Sequence, residues 1–129
     1  MKFNILVTAG LYDSQAAYCA LQFCNAALDA GHEISQVFFY QAGVTIANQL
    51  SAPWQDEFNA TDSWADFSIR TGVPLLVCVS AGERRGVINA DQQAELDKPG
   101  HNMHPNFSVA GLGALHDGSI ESDRTVTFK

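Results

Sequence analysis

Cys78 closes an apolar run in "PLLVCVSAGERRG", residues 74–86, with small residues after it and then Arg84 and Arg85. Two kinds of behaviour fit such a residue. A buried free cysteine is a small core hydrophobe with an inert thiol. A cysteine at a strand end, beside a helix N-terminus and cations, is a thiolate held for nucleophilic attack. The small residues of "SAGERRG" let another molecule's backbone come close. The segment is expected to turn into a helix whose first amides favour negative charge on sulfur. Arg84 and Arg85 are candidate thiolate-stabilising groups, partly opposed by Glu83. Their alternative is a solvated helix face.

The reaction depends on what stands beside the sulfur. A cysteine hydrolase needs an oriented base, usually histidine. The chain offers His32, His101, His104 and His116. His32 follows a helix stop and belongs at the opposite edge of the sheet. His101 and His104 sit in "DKPGHNMHPN", a loop able to fold over the strand ends, which makes His104 a site-lining candidate. No local signature supports a Cys–His pair. A dithiol oxidoreductase needs a resolving thiol, but Cys19 and Cys24 lie about 140° apart around a helix at 3.6 residues per turn, and both are assigned to the core. There is no CxxC, and three cysteines cannot all pair, so neither a disulfide framework nor a zinc site is expected. What remains is a lone thiolate that takes up a sulfur and passes it on, without a cofactor. His101, Met103 and His104 lack a third ligand, so no metal is expected. "TAGLYDSQ" has one glycine and no GxGxxG or Walker pattern, which leaves a nucleotide or flavin site unsupported. Tyr12 in that turn and Tyr40 at the end of the second strand are candidates to line the same crevice as Cys78.

These side chains are positioned by alternating elements. "FNILVT" at 3–8 is a strand, and Asp13 and Ser14 mark a helix start. From Ser14 to Ala30 the chain reads as a helix, with Ala17, Leu21, Cys24 and Leu28 on one stripe, widened by Ala20, Phe23 and Ala27. Gly31 ends it. "EISQVFFY" at 33–40 is a second strand. Gly43 opens the short helical stretch "VTIANQL", and "SAPWQDEFN" is a surface loop. Residues 60–71 form a helix with Trp64 and Phe67 inward and Gly72 as stop. "VPLLVCVS" is continuous rather than alternating, as a strand buried on both faces requires. Asn89 and Gln92 make a capping box for a helix from Ala90 to Leu96. "FSV" at 107–109 is a short strand, residues 111–121 a helix and "RTVTF" at 124–128 the last strand. The alternation predicts an α/β fold with a mostly parallel sheet. Ligands and chemistry gather at the carboxyl ends of strands in such sheets, where Cys78 stands.

Composition sets the outer bounds. The chain's 129 residues suit one domain, 1–129, and 47% apolar content suits one core. Net charge is −7, which argues against a general nucleic-acid binder. No apolar run reaches transmembrane length. "MKFNILVTAG" is too short in its apolar part for a signal peptide, so a cytoplasmic protein is expected, consistent with free thiols.

Four segments, in order and at matching spacing, resemble the DsrE/TusD sulfurtransferase family: "GHEISQVFFYQAGV" (31–44), "VCVSAGERRGV" (77–87), "NFSVAGLGAL" (106–115) and "SDRTVTF" (122–128). The resemblance runs over essentially the whole chain. It implies a five-stranded parallel sheet flanked by helices, with flavodoxin-like layering. It implies that Cys78 carries sulfur as a persulfide. It further implies a heterohexamer with TusB-like and TusC-like subunits, a TusA-like sulfur donor, and a TusE-like (DsrC-like) acceptor. The pathway it implies ends in 2-thiouridine at the tRNA wobble position. The alternatives within the resemblance are a DsrE subunit acting with DsrF and DsrH in oxidative sulfur metabolism, and a non-catalytic interaction subunit. Ser80 and Gly82 stand where alanines are common in the family.

Overall fold

The computed structural model describes residues 1–129. The apolar and β-branched runs form β1 (Lys2–Val7), β2 (Glu33–Phe39), β3 (Leu75–Cys78), β4 (Phe107–Ala110) and β5 (Arg124–Phe128). Between them lie α1 (Ala16–Asp29), α2 (Ala60–Thr71), α3 (Val79–Arg84), α4 (Ala90–Glu95) and α5 (Leu112–Glu121), with a 3₁₀ segment over Gln41–Ala47. The strands lie in the order β4-β3-β2-β1-β5. Every neighbouring pair is parallel. Parallel neighbours need crossovers, which the helices provide. All five carboxyl ends therefore share one edge of the sheet.

Burial accounts for the unalternating runs. Ile5, Val7, Val37, Phe38, Phe39, Leu75 and Val77 are all buried, because both faces of the sheet are covered. On one face, Phe3 and Phe128 meet Phe23 of α1, and Phe39 meets Trp64 of α2 edge to face. On the other, Gln36 Nε2 donates to the Ala114 carbonyl of α5. The α1 stripe is buried at Ala17, Ala20, Leu21, Cys24 and Ala27. The α2 bounds match the sequence reading: Asn59 caps it by accepting from Asp62 N, and Gly72 ends it at φ 76°, a conformation glycine takes without steric cost. The Asn89–Gln92 capping box of α4 is formed in both directions.

Other expectations change. α1 begins at Ala16, since Ser14 Oγ accepts from Ala16 N ahead of the helix. The run 73–80 leaves the sheet at Cys78, and Val79 and Ser80 already belong to α3. Cys78 pairs with Ala110, the last residue of β4, so the ladder has no further partner on that side. The 3₁₀ segment starts at Gln41, two residues before the expected Gly43. Cys19 is exposed rather than in the core. Its turn of about 140° from Cys24 points it away from the stripe that meets the sheet.

Candidate functional site

Cys78 is placed by the register of β3, at the carboxyl edge of the sheet and at the N-cap position of α3. Its residue is 1% exposed. The 3₁₀ segment packs against both β3 and α3 beside it. That segment sits on the end of β1 because Gly43 has no side chain: a Cβ there would run into the Val7 carbonyl. Three non-glycine residues hold left-handed backbone: Gln41, two residues after β2, at φ 52°, Tyr12, in the turn after β1, at φ 62°, and Asp97, after α4, at φ 53°. Left-handed backbone at a non-glycine residue costs on the order of 1 kcal/mol or more, and residues held this way cluster at functional sites.

The sulfur has one polar side-chain neighbour. Cys78 Sγ lies 3.7 Å from Ser80 Oγ, across the first turn of α3. In the sequence Ser80 reads as one of the small residues after Cys78, at a position where alanine is common in the family. The available signal was a hydroxyl two positions after a cysteine at a helix start. The left-handed backbone at Gln41, where the 3₁₀ segment starts, has no signal in the sequence either.

The other candidates are dispersed. Tyr12 donates its hydroxyl to the Phe58 carbonyl (2.7 Å) and lines, with Tyr18 and Phe58, a groove of about 580 Å³ that Cys78 does not reach. Tyr40 is half-buried and packed on the core. It follows Phe39, whose strand partner is Val77, so it flanks the strand end that carries Cys78. His104 precedes β4, at the amino end of the sheet. Three residue steps along the strand carry Ala110 roughly 10 Å from Phe107, and only Ala110 pairs with Cys78. The 101–104 loop is tied instead to the 3₁₀ segment's far end, through Asn48–Met103 pairing and His104 N donating to Ala47 O. It does not lie over Cys78.

No histidine bonds to the sulfur. His104 Nδ1 accepts from Asn106 N, His101 bonds Gln93, and His32 meets the N-terminal ammonium. Arg84 and Arg85 are exposed at the far end of α3, and Arg85 donates to the Ala81 carbonyl of its own helix. Neither arginine is hydrogen-bonded to the sulfur. Cys24 is fully buried, and desolvation pushes its thiol up to about 12. No three His, Cys, Asp or Glu side chains gather to hold a metal, and no helix is long and apolar enough to cross a membrane.

A fully parallel five-stranded α/β sheet with a cysteine delivered to its carboxyl edge defines the class, and the chain belongs to the DsrE/DsrF-like family, whose pattern it matches over residues 1–128. Among curated relatives, Sulfurtransferase TusD of Klebsiella pneumoniae subsp. pneumoniae is 44% identical over 128 residues, covering 99% of this chain and all of the relative. Sulfurtransferase TusD of Salmonella enteritidis is 42% identical over the same share. A sulfurtransferase activity is what relatives of this identity and coverage support for the chain. The ychN protein from E. coli superposes with a TM-score of 0.78, at 15% identity and 99% coverage of both chains, and shares the fold.

Proposed function

We propose that this chain transfers sulfur through Cys78, which holds it as a persulfide between a donor and an acceptor. The observation that supports this reading is the placement of Cys78 at the carboxyl end of β3, where α3 begins. In the first exchange the Cys78 thiolate attacks the outer sulfur of a donor persulfide, R–S–SH. The donor S–S bond breaks, R–S⁻ leaves, and Cys78–S–SH forms. In the second, an acceptor thiolate attacks that outer sulfur and the Cys78 thiolate is regenerated. Neither step needs an outside oxidant, because each exchanges one S–S bond for another. Neither remaining cysteine is bonded to Cys78. A thiol beside it would discharge the persulfide as a disulfide.

The donor in this reading is a TusA-like carrier and the acceptor a TusE-like protein. TusB-like and TusC-like subunits complete a heterohexamer, and the sulfur ends in wobble 2-thiouridine. The test is direct. Treat the protein with a persulfide donor and map the mass added to each cysteine peptide. An addition of about 32 Da, one sulfur atom, is expected on Cys78 and lost in Cys78→Ser. An adduct confined to Cys19 or Cys24 overturns the reading. Thiouridine content of tRNA after loss of the protein separates the branches: a fall supports the tRNA pathway, and unchanged content overturns it and points to the oxidative branch.

The 1% exposure of Cys78 favours a second reading, a non-catalytic subunit that only builds a complex. Its mark is a Cys78 that stays unlabelled by donor and by alkylating agent in the assembled complex.

A further inference from the structure

We infer that Ser80 is the hydrogen-bond donor to the reacting sulfur: its hydroxyl, 3.7 Å from Cys78 Sγ, holds the thiolate and steadies it for persulfide exchange. The inference rests on Cys78 being the sulfur-carrying residue.

Three observations carry it. First, the direction of the bond follows from charge. While Cys78 is a thiol either atom can donate, but a thiolate is an acceptor only, so the hydroxyl must supply the proton. Second, the Ser80 hydroxyl is committed nowhere else. Three helix hydroxyls instead bond backbone carbonyls: Thr61 to Ile46, Thr71 to Phe67 and Ser119 to His116. Ser80 has the Cys78 sulfur as its hydrogen-bond partner. Third, the surrounding elements supply no substitute. The 3₁₀ segment Gln41–Ala47 and the turn Ala110–Gly113 contain no ionisable side chain. β2 brings only Tyr40 to this edge. The ionisable groups of α3, Glu83 and Arg84, with Arg85 next, stand at that helix's far end. A hydroxyl is therefore the polar side chain in place to meet charge on this sulfur.

The chemistry gives Ser80 a part in both exchanges. Before attack, the O–H of this exposed serine lowers the cost of carrying charge on the buried sulfur, as hydrogen bonds to charged groups do. When the acceptor takes the outer sulfur, the S–S bond breaks and its electron pair returns to Cys78 Sγ. The same O–H meets that pair. The proton stays on oxygen throughout, so Ser80 is a positioning and stabilising residue, not a base.

The test follows the pH dependence of Cys78 alkylation by iodoacetamide in the full chain, peptide by peptide. Ser80→Ala should move the midpoint of the rate profile to higher pH and slow alkylation near neutrality by roughly three- to tenfold. Ser80→Thr, which keeps the hydroxyl, should restore the wild-type midpoint. A change in packing or access alone would alter the plateau and leave the midpoint in place. Superimposed midpoints for wild type and Ser80→Ala overturn the inference. Failure of the wild-type protein to gain sulfur on Cys78 overturns the persulfide reading instead, and is scored separately by the mass of the Cys78 peptide.

Discussion

The three thiols of this chain differ in what surrounds them, and each environment makes its own prediction. Cys24 packs on the core with nothing to bond, so the cost of charge is wholly desolvation. The unfolded chain releases this proton near 9.0 and the folded chain near 12. Between those values the unfolded state binds fewer protons, so stability falls as pH rises. The contribution is fully present below pH about 9, and its loss is limited to about 1.4 kcal/mol per pH unit for one proton. Denaturation midpoints measured from pH about 8 to about 11 should show wild type losing ground to Cys24→Ala above the unfolded value. Parallel curves would remove Cys24 as the titrating group. At Cys78 the decisive neighbour is a hydroxyl, and the Ser80 variants read its effect. Arg84 and Arg85, close by in sequence, are exposed, and Arg85 bonds the Ala81 carbonyl of α3.

At the scale of elements, α5 shows one substitution acting in two directions. Gly113 and Gly118 both lie in α5, and alanine is the better helix former at each by propensity. Gly113 is exposed with open space around a built Cβ. Gly118 is buried, and a Cβ there would lie 2.7 Å from Gln36 Cδ and 2.9 Å from Asn4 Oδ1. Those two side chains are buried, and Gln36 is held by its bond to Ala114 O. Gly113→Ala is expected to stabilise by about 0.5 kcal/mol, and Gly118→Ala to destabilise by about 1–3 kcal/mol. Chemical denaturation of both variants checks the signs, and a stable Gly118→Ala would show that the polar layer under α5 gives way. Sequence periodicity cannot separate the two glycines, since α5 carries no clean apolar stripe and the difference lies in which residue meets the sheet.

For the whole molecule the governing fact is that Cys78 is sealed. With 1% of Cys78 exposed, no donor reaches the sulfur while the 3₁₀ segment and α3 stay closed on it. In the proposed exchange, a donor reaches the sulfur only through a local opening of this cover. Native-state labelling should therefore modify exposed Cys19 well before Cys78, with the difference vanishing in denaturant. Equal native rates would show the cover standing open in solution. The elements themselves were legible without coordinates. Helix periodicity, the Asn89–Gln92 box, Gly72 as a stop and the unbroken run into Cys78 are all written in neighbouring residues, because the forces that set them act over a turn or two of chain. From that alone came the α/β alternation and a cysteine at a strand end. What the tertiary structure decided was which ends meet: β5 beside β1, His104 at the amino end, Tyr12 turned to Phe58, and the Ser80 hydroxyl beside the sulfur. Those depend on strand order and register between segments far apart in the chain, and on burial from both faces at once, which no local pattern encodes.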